Sequence, residues 1–491
     1  MSDIVQLHPD NRKIFEYKGK PRVLLCATEH YGAVINRPFR YERYLADARD
    51  RGQTLTRLFT LFRELQSAVN PYSTCKPESP DFVTPFVRTG PGVALDGQPV
   101  FDLEQWNPEY FDRLHGFLSL AEAYGIVVEV VLFSNTYNDV VWSLNPLNPN
   151  NNVTMDPEPA ILWQDYMTTR WDELWRWQQA HARKILQETN RYRNVIYEIC
   201  NEPCHFPGGE GLPQADEVND WQRQLITLIR DTEKDLPNQH LVAGQEAMTI
   251  RPFDQPSELS FHEMDFDVVN IHPLPNTSCD GNRYELGEFM SKQLKLEAVR
   301  DFALAAYKKS KPLNYDEDNA ATQYKEPEGW TVHRKRAWTT LFCGAHYDMI
   351  DFSITPYTET GTPASQKGIR LWFEHLSTFI HSIDLVKARP LKDWLKQCPD
   401  HVVVSVFGVE DQDYCVYLAD AREVDEPGCG TTIESEIRFD LPKGSFGVSC
   451  YSPVSGVYSP VLEIEGGTDR TLELPEFNHD LVVRIRRKSD E

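Results

Sequence analysis

The sequence predicts an α/β chain, a (β/α)8 barrel followed by a small antiparallel β-sandwich. Three observations predict it. Eight short apolar runs alternate with amphipathic stretches over about three quarters of the chain. No Gly-rich phosphate loop follows the first run, which disfavours the runner-up, a doubly wound open sheet. From about residue 384 short strands follow one another across Gly, Pro and Asp turns, with no helix between them.

Residues 15–21 (FEYKGKP) read as a hairpin leading into the barrel. The eight runs are 22–27, 54–61, 127–133, 195–200, 240–243, 268–271, 312–315 and 347–352. Their shortness and β-branched content favour strands over helix fragments. The stretch 108–124 carries Phe111, Leu114, Phe117, Leu118 and Ala121, the spacing of one buried helix face. Stretches 163–188, 217–235, 284–309, 331–342 and 368–380 read as helices on the same grounds. Two irregular stretches, 64–100 and 134–159, follow the second and third runs, at the strand ends where barrels build their sites. The sandwich strands are predicted at 401–407, 414–418, 433–441, 447–451, 471–474 and 481–485. The expected domains are therefore 1–383, barrel with N-terminal hairpin, and 384–491, sandwich.

Composition narrows the function. With 50 basic against 74 acidic residues the net charge is −24, which repels phosphate backbones and anionic lipid headgroups. Nucleic acid and membrane are thus not expected partners, and no run reaches the ~18 apolar residues of a span. The first residues lack a basic and then apolar leader, so no secretory signal is expected. Ten cysteines are irregularly spread, and Cys200 and Cys204 have no second pair at zinc spacing. Reduced thiols in a cytoplasmic protein are the expectation, with no metal and no cofactor.

The chemistry concentrates in Val195-Ile196-Tyr197-Glu198-Ile199-Cys200-Asn201-Glu202-Pro203, an apolar strand ending in Asn-Glu-Pro at the fourth position of eight. This resembles the clan of retaining (β/α)8 glycoside hydrolases, the cellulase-like barrels. The resemblance implies a substrate-binding Asn201, a general acid/base Glu202 and a second carboxylate at the end of strand seven. There the sequence reads Asn314-Tyr315-Asp316-Glu317-Asp318. Alternation puts Tyr315 and Glu317 on one strand face and Asn314, Asp316 and Asp318 on the other. That parity, and the longer reach of Glu, favour Glu317 as nucleophile.

The resemblance also implies a supporting Arg57 in strand two and a His272 near the nucleophile at the end of strand six. His30 and Tyr31 after strand one are candidates for binding sugar hydroxyls, Asn135 for substrate binding, and Trp142 for stacking on a pyranose. Gln245, Glu246, Asp348 and Asp351 also lie at strand ends or in the loops that follow. Strand eight has Tyr347–Phe352 where such barrels carry a Trp platform. The likeness is closest to cellulase-like bacterial proteins that share Glu29-His30-Tyr31-Gly32, Trp142-Ser143-Leu144-Asn145-Pro146 and Glu198 through Pro203. It covers almost the whole chain.

The expected function is a retaining glycoside hydrolase acting on a carbohydrate or glycoside. Two alternatives stay open. One is a catalytically inactive carbohydrate-binding barrel. The other is a metal-dependent barrel hydrolase using His30, His272 and Asp side chains, although the H-x-H pair of such enzymes is missing.

Overall fold

The structure is a computed structural model that describes residues 3–61, 81–203, 211–247, 255–272, 295–318, 328–422 and 426–488. Eight parallel strands form the barrel: Leu25–Thr28, Leu55–Phe59, Val127–Ser134, Val195–Asn201, Leu241–Gly244, Val268–Ile271, Leu313–Asp318 and His346–Ile350. Each expected run supplies one. We number them one to eight. The ladder runs from strand two through strands three to eight and on to strand one. Strands one and two close the ring more loosely. Thr54 N donates to Leu25 O at 3.0 Å, and Leu25 N donates to Thr54 Oγ1 at 2.9 Å.

Helices Tyr41–Asp50, Pro108–Tyr124, Asp172–Thr189, Ala215–Glu233, Leu296–Tyr307, Glu328–Phe342 and Ile369–Ile380 cover the barrel. The helix Pro108–Tyr124 has the ends its sequence announces. Asn107 accepts from Glu109 N, Pro108 opens the first turn, and Gly125 closes it with φ 75°. The helix Tyr41–Asp50 is not among the expected ones. Only Tyr44, Leu45 and Ala48 of its ten residues are buried, too few to give a periodic signal.

Three other expectations change. The first irregular stretch, 64–100, contains and runs into a hairpin of Phe86–Val93 and Pro99–Trp106, while 62–80 lie outside the described residues. The helix expected at 163–188 is split into a short turn, Trp163–Met167, and Asp172–Thr189. The helix expected at 284–309 is described only as Leu296–Tyr307, its first part lying outside the described residues.

An N-terminal antiparallel sheet of Gln6–His8, Asn11–Tyr17 and Lys20–Arg22 plugs the bottom of the barrel. Its tight turn needs left-handed backbone at Lys18 and Gly19, φ 51° and 67°. Val5, Leu7, Phe15 and Tyr17 pack on Leu55, Val127, Ile196 and Val268, residues at or beside the beginnings of strands two, three, four and six. The site is thereby left to the other end.

The C-terminal antiparallel unit hydrogen-bonds into one seven-stranded sheet that curls as a half-barrel. The expected strands 433–441 and 447–451 are one strand, Glu436–Tyr451, which passes the expected turn at Pro442–Gly444 with shifts in its register to Leu462–Glu473. In the strand Asp413–Asp420, alternation divides the residues. Tyr414, Val416 and Leu418 face the sheet's own core, whereas Cys415, Tyr417 and Ala419 belong to the core shared with the barrel helices. The Tyr417 ring stacks on Trp338 at 5.5 Å. Arg334 forks onto Asp480, both bonds 2.9 Å, with both groups buried.

Candidate active site

The site is assembled where strands two, four, six and seven end. Arg57, in the middle of strand two, is fully buried in the barrel axis. Nη2 and Nε lie 2.6 and 3.1 Å from Glu198 Oε2, and Nη1 is 2.9 Å from both Glu317 Oε2 and Tyr31 Oη. Nη2 also donates to Asn201 Oδ1 at 3.2 Å and lies 3.1 Å from Asp316 Oδ2. Burial opposes a charge here. The Glu198 carboxylate, with Tyr31, Asp316 and Glu317, more than offsets it and holds the guanidinium well above its ordinary value.

His272 faces acids on both sides. Nδ1 is 3.0 Å from Glu202 Oε1, and Nε2 is 3.5 Å from Asp316 Oδ2 and 3.9 Å from Glu317 Oε2. Burial would neutralise the ring, but Asp316 and Glu317 outweigh it and hold the imidazole well above its usual value. One ligand atom each of Glu202, His272 and Glu317 lie within 4.8 Å of one another, a spacing a cation could bridge. In the structure His272 Nδ1 is hydrogen-bonded to Glu202 Oε1, so the ring joins the two acids.

Backbone geometry brings the two glutamates together. Glu202 follows strand four with φ 48°, and Glu317 sits near the end of strand seven with φ 55°. Left-handed backbone costs a non-glycine residue about 1 kcal/mol or more, and such residues cluster at functional sites. At Glu317 the cause is a bulge. Tyr315 pairs with Tyr347 and Asp318 with Met349, so strand seven carries one residue more than strand eight. Asn314 and Asp316 point into the barrel, Tyr315 outward to Val299 O, and Asp318 outward to Arg336 and Tyr347. Glu317 ought to point outward with Tyr315. The left-handed turn swings it inward, so the parity argument from the sequence fails and both Asp316 and Glu317 reach Arg57.

The remaining expected residues divide. Asn201 is fully buried beside Arg57, and its Nδ2 donates to Tyr137 Oη at 3.0 Å. Tyr31, itself at φ 60°, lays its ring against Phe59 at 4.3 Å while its hydroxyl meets Arg57. His30 is buried beside Tyr31 and edge-on to Phe352 at 4.9 Å. Asn135 accepts from Tyr137 N at 3.0 Å and so shapes the loop after strand three. Trp142 corrects the sequence reading. It is 5 % exposed, packs on Tyr166 within the core, and spends its indole N–H on Ile161 O at 2.9 Å. No face is left for a pyranose.

Glu246 is turned to Ser257 and Ser260, and Asp351 to Ser353 and Ser365. Three site residues had no role in the sequence reading: Tyr137, whose hydroxyl donates to Glu202 Oε2, and the buried acids Glu198 and Asp316. The Glu-x-x-Asn-Glu spacing of strand four could have marked Glu198, since alternation puts it inside the barrel beside Arg57.

Beneath the pair the barrel is acidic. Burial raises Glu198 to about 7, with the Arg57 charge opposing and Asp316 adding to the rise. It raises Asp348 to about 8, where Cys26 donates its thiol at 3.0 Å. Asp316 is the exception, since Arg57 and His272 overcome burial and lower it. The rise at Asp348 has a consequence for stability. The folded protein holds that proton up to about pH 8, whereas the unfolded chain releases it near the ordinary value of 3.8. The folded state binds the extra proton between these values, so its stability falls as pH climbs through that window. Asp348→Asn should flatten part of the decline. Melting temperatures at pH 5 and pH 9 test this, the variant gaining on the wild type at pH 9; equal shifts at both pH values would contradict it.

The comparisons fit this geometry. The family model described as Cellulase (glycosyl hydrolase family 5) matches residues 86–326, a span that holds Tyr137, Glu202, His272 and Glu317. A solved structure titled "Glycoside hydrolase" superposes with a TM-score of 0.63 at 11% identity, over 99% of this chain and 98% of its own. A glycoside hydrolase family 5 structure from Bacteroides vulgatus ATCC 8482 gives 0.62 at 11% identity, over 99% and 94%. At such identities the superpositions speak for the fold alone. A search of the curated proteins finds no match. The barrel and the match over residues 86–326 support a glycoside hydrolase whose barrel is similar to those of the cellulase-like (β/α)8 clan.

Proposed function

We propose that the protein is a retaining glycoside hydrolase in which Glu202 is the general acid/base and Glu317 the nucleophile. The observation that carries the reading is the closeness of the pair, an oxygen of each lying within 4.8 Å of the other. That belongs with the ~5–5.5 Å of retaining enzymes rather than the ~6.5–9.5 Å that admits a water for inversion. In the first step Glu317 attacks the anomeric carbon while the Glu202 proton passes to the departing oxygen. In the second, the Glu202 carboxylate takes a proton from water, the water oxygen bonds to the anomeric carbon, and Glu317 leaves as carboxylate. Arg57 aims Glu317 through the bond from Nη1 to Oε2. Asn201 presents its amide to the sugar 2-hydroxyl, and Tyr31 and His30 line the strand-one side.

In this reading residues 1–383 carry the chemistry and 384–491 buttress the barrel. No helix among the described residues is long and apolar enough to cross a membrane. Cys26, Cys200, Cys343, Cys398, Cys415, Cys429 and Cys450 are free thiols, which suits a reducing compartment and a cytoplasmic location. Cys75, Cys204 and Cys279 lie outside the described residues.

Glu202→Gln tests the assignment. Glycosides with poor leaving groups should slow by about 10²–10⁴, the usual contribution of a positioned acid, while the first step on activated aryl glycosides is spared. Equal loss on both would contradict the acid role. Proton NMR of the first-formed sugar should show the substrate's anomeric configuration, and EDTA should leave the rate unchanged. Loss of activity in EDTA, restored by a divalent cation, would favour a metal-dependent hydrolase instead.

A further inference from the structure

Tyr137 stands outside the sequence motifs, yet it touches the acid/base glutamate. Its backbone is left-handed at φ 56°, held by its own N–H on Asn135 Oδ1 at 3.0 Å. The next residue, Asn138, caps the short helix Asp139–Trp142 by accepting from Val141 N at 3.0 Å. These contacts fix the loop so that the phenol lies over the ends of strands three and four.

The direction of its hydrogen bond follows from Arg57. A guanidinium can only donate, so Asn201 must turn its oxygen to Arg57 Nη2. The amide nitrogen then faces Tyr137 at 3.0 Å and can only donate to it. The phenol accepts there, and its own proton goes to Glu202 Oε2. On the other side His272 Nδ1 donates to Glu202 Oε1. Both carboxylate oxygens thus receive donors, the arrangement that favours the ionised form.

We propose that Tyr137 is a positioning residue for the acid/base carboxylate, stabilising Glu202 as the base between the two half-reactions and so setting the pH at which the acid form is lost. This rests on the assignment of Glu202 above. Protonating Glu202 on Oε2 breaks the Tyr137 bond, so the phenol opposes the acid form. When Glu202 gives its proton to the departing oxygen, the carboxylate that results meets an O–H already aligned. No bond to Tyr137 is made or broken beyond this hydrogen bond. The other groups facing Glu202 are Asn201 from its own strand, His272 from strand six and Glu317 from strand seven, with Asp316 behind the imidazole.

The test is the pH profile of kcat/KM for Tyr137→Phe, which keeps the ring and loses only the hydroxyl. Losing one charge-assisted bond should let Glu202 hold its proton to higher pH, moving the alkaline limb up by about one unit, tenfold in proton affinity. A lowered rate with the limb unmoved, as a merely structural role gives, overturns the proposal, and so does a limb that moves down. The same profile for Glu202→Gln separates the two claims. If that variant keeps the limb, the acid/base assignment itself fails. If it abolishes the limb while Tyr137→Phe leaves it in place, only the role of Tyr137 fails.

Discussion

Glu317→Ala is expected to lose at least a thousandfold in activity, and azide is expected to restore turnover. The product should be a glycosyl azide of inverted configuration. Removing the carboxylate leaves a space on the face from which it attacked, and azide enters there without needing a general base. The neighbouring acids give the contrast. Asp316 is fully buried between Arg57 and His272, sealed from any sugar, whereas Glu317 lies above it at the strand end and keeps some exposure. Asp316→Ala should therefore lose activity without rescue, because it disturbs His272 and not the attacking atom. Asp318 is held by Arg336 and Tyr347 on the outer side of the barrel, so Asp318→Ala should lower stability more than the chemical step. Azide rescue of Asp316→Ala, with Glu317→Ala still active, would move the nucleophile by one residue. Product configuration by NMR and turnover with graded azide decide between them.

The barrel was legible because its strands are short, apolar and separated by long helices, a pattern that few folds share. All eight runs became strands. Asn201 and Glu202 could be read because an Asn-Glu-Pro at the end of an apolar strand sits where a barrel builds its site. What escaped the sequence depends on backbone conformation. Alternation along 314–318 holds only while the strand is regular, and the bulge opposite Tyr347 and Met349 reverses it at Glu317. No local composition announces a left-handed glutamate. Tyr137 escaped for a related reason, since its place is set by Asn135 and a turn within a loop rather than by a periodic element. Trp142 misled because an indole in a loop near a strand end suggests a platform. Its loop is instead a packed unit, with the side chains of Asn148, Asn151 and Asn152 bonded to its backbone carbonyls.

Replacing Arg57 should have the largest effect on stability. Arg57→Met leaves Glu198, Asp316 and Glu317 facing one another in the barrel axis with only His272 as counter-charge among the described residues that contact them. Breaking a buried pair by removing one partner costs about 3–5 kcal/mol, a large share of the ~5–15 kcal/mol that holds a domain folded. The sign of its pH dependence follows. Without the guanidinium the buried acids retain protons to higher pH than in the unfolded chain, so the variant's folded state binds the extra protons. Its stability then falls as pH rises, and the gap to the wild type should be small near pH 5 and widen by pH 8. Glu198, already raised to about 7 with Arg57 beside it, makes this window accessible. Arg57→Lys separates charge from geometry. A lysine keeps one positive charge but cannot reach Glu198 with two nitrogens and Glu317 with a third, as the guanidinium fork does. It should recover much of the stability at pH 8 and little of the activity. Denaturant melts of both variants at pH 5 and pH 8 measure the gap. A constant gap would mean that Arg57 acts through packing alone, and that the barrel tolerates its acids by some means other than this one cation.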